Sequence, residues 1–165
     1  EAALGDRYRH LPQIHPDAFA DAMAAADLFL SCNFAATSIS TALLSDVPVL
    51  LATNSLAVVS AADLPAELQS DVALRDWIGT VAPLHRFRVW PYGMHRFLQP
   101  SFDDNPYSEA ITCVELLQAP AVLRAAEDLL RPGPTRDAAL QRQRDYLQQV
   151  QRLPRAATLI EGQLP

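Results

Sequence analysis

Residues 11–54 (LPQIHPDAFADAMAAADLFLSCNFAATSISTALLSDVPVLLATN) most limit what this chain can fold into. His15-Pro16-Asp17 reads as a helix start, because proline at the first helical position loses no hydrogen bond and an acid there suits the helix dipole. Phe19, Met23 and Ala26 recur at helical spacing as far as Asp27. Leu28–Cys32 is a short apolar run of the kind that forms a strand buried on both faces. Asn33–Thr37 turns the chain, Ser38–Leu44 reads as a helix, Asp46-Val47-Pro48 ends it, and Val49–Ala52 is a second buried strand. Strand, helix and strand within about 25 residues make a βαβ unit, whose strands are parallel and whose crossover is right-handed. The class expected is therefore α/β, a Rossmann-like parallel sheet flanked by helices.

The remaining chain adds helices to that nucleus. Pro65 is placed to open a short helix, and Val72–Val81 reads as another, holding Trp77. Phe87–Trp90 has the alternation of a strand, Pro91-Tyr92-Gly93 is a turn, Met94–Leu98 reads as a helical turn and Pro100–Pro106 as a loop. From Tyr107 onward the pattern is mostly helical. Ala119–Leu130 is one helix, broken by Arg131-Pro132-Gly133-Pro134. Thr135 is expected to cap a long helix to about Leu153, with Leu140, Leu147 and Val150 packing on the sheet. Pro154 stops that helix, and Ala156–Leu164 forms a last one.

With 165 residues, half of them hydrophobic, the chain has material for one substantial core, and residues 1–165 are expected to form one domain. No run reaches the roughly 18 apolar residues of a membrane span. The net charge of −6 and the lack of a basic stripe argue against nucleic acid as a partner. Cys32 and Cys113 are the only cysteines, too few for a disulfide framework or a zinc site, so a cytoplasmic, reducing compartment is expected. The chain begins at Glu1 and shows no signal pattern, and it is expected to be a piece of a longer protein.

A strand that turns into a helix points backbone N–H groups outward, and with the helix dipole these make a phosphate site. Asn33, Thr37, Ser38, Ser40 and Thr41 add side-chain donors at that turn, although such residues also serve as ordinary helix caps. In an open α/β sheet ligands bind at the carboxyl ends of the strands, where the Cys32–Ser38 turn and the Asn54 loop both belong. A diphosphate between them is the physical expectation. No glycine lies between Cys32 and Gly79, so the dinucleotide and P-loop fingerprints are missing.

These residues also resemble GT-B glycosyltransferases of the plant and antibiotic type. That family carries W-x-P-Q, then a helix and a strand, then H-G-G-x-x-S-x-x-E-A-L-x-x-G-V-P. Here Pro12-Gln13 match P-Q, Ser38 matches the serine, and Ala42-Leu43 and Val47-Pro48 match A-L and V-P. The departures are His10 for the tryptophan, Asn33 for the histidine, Phe34 and Ala35 for the two glycines, Thr41 for the acid and Asp46 for the last glycine. The closing segment LLRPGP…LQRQRDYLQQVQRLPRAATLIE is similar to the final helices of that family.

The resemblance implies the C-terminal, donor-binding half of a GT-B fold, acting in bacterial natural-product biosynthesis on a nucleotide-diphosphate sugar. It implies that His10 stacks on the base, that Gln13 bonds the base edge, that Asn33, Thr37 and Ser38 hold the diphosphate, and that Asn54 reaches the sugar. It further implies no metal and no cofactor, because the protein supplies the field that stabilises the leaving diphosphate. The catalytic base would belong to an N-terminal domain and the acceptor is left unassigned, so no catalytic residue is named and the fragment alone binds donor without transferring sugar. A nucleotide-sugar 2-epimerase of the same fold and a non-catalytic accessory domain are the rival readings. His85, His95, Asp103 and Asp104 show no metal-ligand spacing, the WPYGMHRFL segment reads as core or cleft lining, and Ser31 and Ser38 lack a nucleophile elbow.

Overall fold

The computed structural model describes residues 7–10, 14–53, 60–64, 66–85 and 104–154. Three parallel strands, β1 (Phe29–Ser31), β2 (Val49–Thr53) and β3 (Thr112–Glu115), form a small sheet in the order β1-β2-β3. Leu30 lies opposite Leu50 and Leu51 opposite Cys113, so β2 is the central strand. Helices α1 (Pro16–Ala24), α2 (Thr37–Leu44), α3 (Ala66–Gln69), α4 (Val72–His85), α5 (Pro106–Glu109), α6 (Ala119–Leu130) and α7 (Pro134–Gln151) surround it. The architecture is α/β.

The βαβ unit follows from its sequence. Pro16 opens α1, and the His15 ring accepts the Asp17 N–H. Val49, Leu50, Leu51 and Ala52 are each exposed by 1% or less. A Val or Leu buried to that degree contributes about 1.5–3 kcal/mol, which explains why an unbroken apolar run sits at the sheet's centre. Val49 and Leu51 pack with Ile39, Ala42 and Leu43 of α2 and with Met23 of α1. On the other face Leu50 meets Leu129 of α6 and Ala139 of α7.

The turn from α2 into β2 is a Schellman motif: Val47 N–H reaches the Ala42 carbonyl at 3.0 Å and Asp46 N–H the Leu43 carbonyl at 3.2 Å. Its left-handed residue is Asp46, at φ 57°, where glycine is the usual occupant. The carboxylate held in that conformation is gripped by both arms of the Arg144 guanidinium, whose Nε donates at 2.8 Å.

Arg144 belongs to a larger device. Helix α7 lies across the amino ends of all three strands and bonds to the chain just before each one. Arg136 donates to the carbonyls of Asp27 and Leu129, Gln143 to the Val47 carbonyl at 2.9 Å, and Arg142 to the Glu109 carbonyl at 3.1 Å. Gln143 is 1% exposed and its Oε1 has no partner among the described residues. Tyr146 and Leu147 then pack against the core cluster on the α2 face.

Several expectations are corrected. The chain after Tyr107 is mostly helical, as expected, but the sequence reading did not include the strand Thr112–Glu115. Its four residues gain their burial from pairing with β2 and not from an apolar run of their own. Thr135 does not cap α7: the helix starts at Pro134, whose fixed φ and missing N–H suit the first position, after Gly133, which makes no side-chain cap. Of the expected stripe on that helix, Leu147 packs on the core, Leu140 is half-buried and Val150 is exposed, while Ala139 and Gln143 are the residues fully enclosed. Helix α4 runs four residues past Val81, and α5 begins at Pro106, capped by Asn105, inside the expected loop. The strand expected at Phe87–Trp90, the turn at Met94–Leu98 and the helix at Ala156–Leu164 lie outside the described residues.

The amino-edge contacts differ in kind. Gln143→Leu strands the buried Val47 carbonyl and should lower unfolding stability by about 1–3 kcal/mol in a urea titration. Arg144→Ala, at a half-exposed ion pair, should shift the midpoint much less.

Candidate functional site

The turn between β1 and α2 lies at the carboxyl edge of the sheet, and its own hydrogen bonds fix its shape. Ser31 Oγ accepts the Asn33 N–H and donates to the Asn33 carbonyl, both at 3.0 Å. Asn33 Oδ1 accepts the Ala35 N–H at 3.0 Å, and the Asn33 carbonyl accepts the Ala36 N–H at 3.2 Å. The Asn33 carbonyl oxygens are therefore spent on the turn, which leaves its Nδ2 group as the donor side.

The residue at the cap of α2 is Ala36, in extended conformation and with no side-chain bond to the helix. Neither serine, threonine nor asparagine caps this helix. The first-turn N–H groups of Thr37 and Ser38 have no acceptor among the described residues. Thr37 is exposed and Ser38 half-buried. An uncapped helix start beside hydroxyl and amide donors offers positive potential and hydrogen-bond donors to an anion.

Phe34 replaces the first of the two glycines of the resembling family, and its ring turns inward. It meets the Tyr107 ring edge-on, with centroids 5.4 Å apart, and Tyr107 meets Tyr146 of α7 at 5.6 Å. This row of rings ties the turn to α5 and α7. Burial first, and Tyr146 second, hold the Tyr107 hydroxyl above its ordinary pKa.

The structure brings Asn33, Thr37 and Ser38 together in one turn. It places Thr41 half-buried inside α2 and Ser40 exposed on the same helix. His10 is exposed, and no hydrogen bond or ring contact among the described residues joins it to the turn. Gln13 and Asn54 lie outside the described residues, as do His95 and Asp103. Asp104, at φ 56°, belongs to the turn ahead of Asn105. Sequence reasoning missed the strand Thr112–Glu115, whose carboxyl end lies at the same edge of the sheet. The signal was the alternation of Thr112 and Val114 in a β-branched pair. Among the described residues no three His, Cys, Asp or Glu side chains gather as a metal site, and no helix is long and apolar enough to cross a membrane.

A family of unknown function, DUF6365, matches residues 2–162. The chain belongs to the DUF6365 family. No curated protein and no solved structure matches it. In this DUF6365 chain, then, the chemistry of the site rests on its own residues.

Two outcomes test the aromatic support. Phe34→Ala should cost about 1–3 kcal/mol of stability, measured by chemical denaturation, since it removes a half-buried ring and its edge contact. Tyr107 binds its proton more tightly folded than unfolded, so stability should fall as pH rises past the ordinary tyrosine value of about 10. Tyr107→Phe should flatten that alkaline loss in denaturation midpoints taken between neutral and strongly alkaline pH.

Proposed function

We propose that this chain is the donor-binding domain of a GT-B-like glycosyltransferase, taking a nucleotide-diphosphate sugar at the β1–α2 turn. The observation that carries the reading is the start of α2. A helix without a side-chain cap opens at the carboxyl edge of a parallel sheet, and Asn33, Thr37 and Ser38 surround it. Ala36 leaves the backbone donors of the first turn without a side-chain cap, which supports anion binding there. Helix dipole and hydroxyls would stabilise the charge that develops on the leaving diphosphate. The resemblance of residues 10–13 and 33–48 to the family pattern supplies the sugar nucleotide as substrate class. The catalytic base would come from another part of a longer protein, and location in the cytoplasm is part of the same proposal.

One observation favours a second reading, an accessory domain without donor binding. Phe34 and Ala35 stand where the resembling family has glycines, and the Phe34 side chain is committed to the ring cluster. Backbone at these positions has less freedom to wrap a diphosphate than glycine gives.

Calorimetric titration of the chain with UDP, TDP and GDP separates the two. Donor binding predicts that one of them binds without magnesium, and that Thr37→Ala with Ser38→Ala weakens it about tenfold or more. A folded chain that binds none of the three would favour the accessory reading.

A further inference from the structure

Strands β1 and β3 flank β2, so each has one side turned away from the sheet. Along a strand in a parallel pair, the main-chain groups of one residue point to the neighbouring strand and those of the next point away. The Phe29 N–H reaches the Pro48 carbonyl at 2.9 Å, so Phe29 and Ser31 face β2 and Leu30 between them faces away from it. The Leu30 N–H and carbonyl have no hydrogen-bond partner among the described residues.

The Leu30 side chain is open as well. It lies on the Leu50 face of the sheet, where the cluster around Leu129 and Ala139 takes in Leu28, Leu50 and Val114 but leaves Leu30 52% exposed. Cys32, two residues on and so on the same face, is also exposed. From Leu28 to Cys32 the chain has no charge and no proline, the residues that commonly keep an edge from pairing. The opposite edge is guarded better, because β3 ends on the charged Glu115.

An edge with one outward residue at its centre is complementary to itself. Turned about a two-fold axis, two such strands lie antiparallel, and each Leu30 gives its N–H to the other's carbonyl and accepts one in return. The same rotation sets the two Leu30 side chains against each other, with Cα atoms about 5.5 Å apart, so that each covers the other's apolar surface. Charge selects this direction. Exposed Asp27 stands before β1, while the carboxyl end of β1 carries the Asn33 amide and the positive start of α2. Antiparallel pairing brings the acid of each copy to the donor end of the other, whereas parallel pairing brings acid to acid. We propose that the β1 edge is an interface for a second copy of this chain, which pairs antiparallel about Leu30 and joins the two sheets into one. The contact is short, so the dimer is weak and forms as concentration rises. It stands or falls independently of the diphosphate site.

The test is sedimentation velocity on the 165-residue chain, from about 1 μM to about 1 mM. The chain should pass from monomer to dimer and stop there. Leu30→Pro should weaken the dimer about tenfold or more, because it removes the donated N–H. Its thermal melt at the lowest concentration should still show a folded monomer, since that N–H makes no bond to β2. Leu30→Lys keeps the N–H but puts like charges at the two-fold axis, and should weaken the dimer similarly. In a chain that also carries Cys32→Ser and Cys113→Ser, Leu30→Cys should form a covalent dimer with oxidised glutathione as oxidant, because the paired Cα separation suits a disulfide. Leu44→Cys in the same background, at a position 73% exposed, should not. A chain that stays monomeric at the highest concentration overturns the proposal. So does a dimer that ignores both Leu30 substitutions and gives no Leu30→Cys cross-link. Open-ended growth overturns it too, since β1 of one copy would then be pairing with β3 of the next.

Discussion

Everything in this fold follows from the need to cover both faces of β2. A strand as apolar as Val49–Ala52 has no stable place at an edge or beside water. Covering one face requires α2, which fixes where that helix starts and so where the donor groups of its first turn gather. Covering the other requires α6 and the early part of α7. The site is thus a by-product of core packing: the helix that shields Leu51 begins at the carboxyl edge of the sheet because parallel strands leave it no other direction to run.

The βαβ unit was legible because each signal was local. An apolar run, a turn and a second apolar run specify two strands and their crossover without help from distant residues. The same locality brought Asn33, Thr37 and Ser38 into one turn. What was not legible depended on partners remote in sequence. Thr112–Glu115 becomes a strand only because β2 offers it an open edge, and Glu115 at its end looks like a helix residue when read alone. Nothing in the sequence singles out Gln143 or Arg136 on their long helix, yet one is enclosed and both bind backbone carbonyls about a hundred residues away. Thr135 was misread because proline and threonine compete for the same helix start, and the proline's fixed geometry won.

The departures from the glycosyltransferase pattern sort into two physical kinds. Asp46 keeps the backbone shape that glycine gives, at φ 57°, and the Arg144 guanidinium offsets the strain of a side chain in that region. Phe34 is different: it brings a large ring into a turn where the resembling pattern is bare, and that ring becomes a structural strut toward Tyr107 and Tyr146. The turn therefore gains rigidity at the point where flexible backbone would otherwise adapt to a ligand. The open N–H groups and side-chain donors of the turn are then held in fixed positions.

The bonds from α7 to the starts of β1 and β2 span 109, 98 and 96 residues along the chain. Contacts this remote bear the full entropy of closing long loops before they return any energy, and they slow folding accordingly. On a ribosome, β1, α2 and β2 emerge together and can pair at once, but their amino edge stays open until the chain has been made past residue 144. A chain stopped short of that point would carry a formed turn on an unclosed sheet, with the apolar face of β2 still in water, and quality-control machinery would meet it in that state.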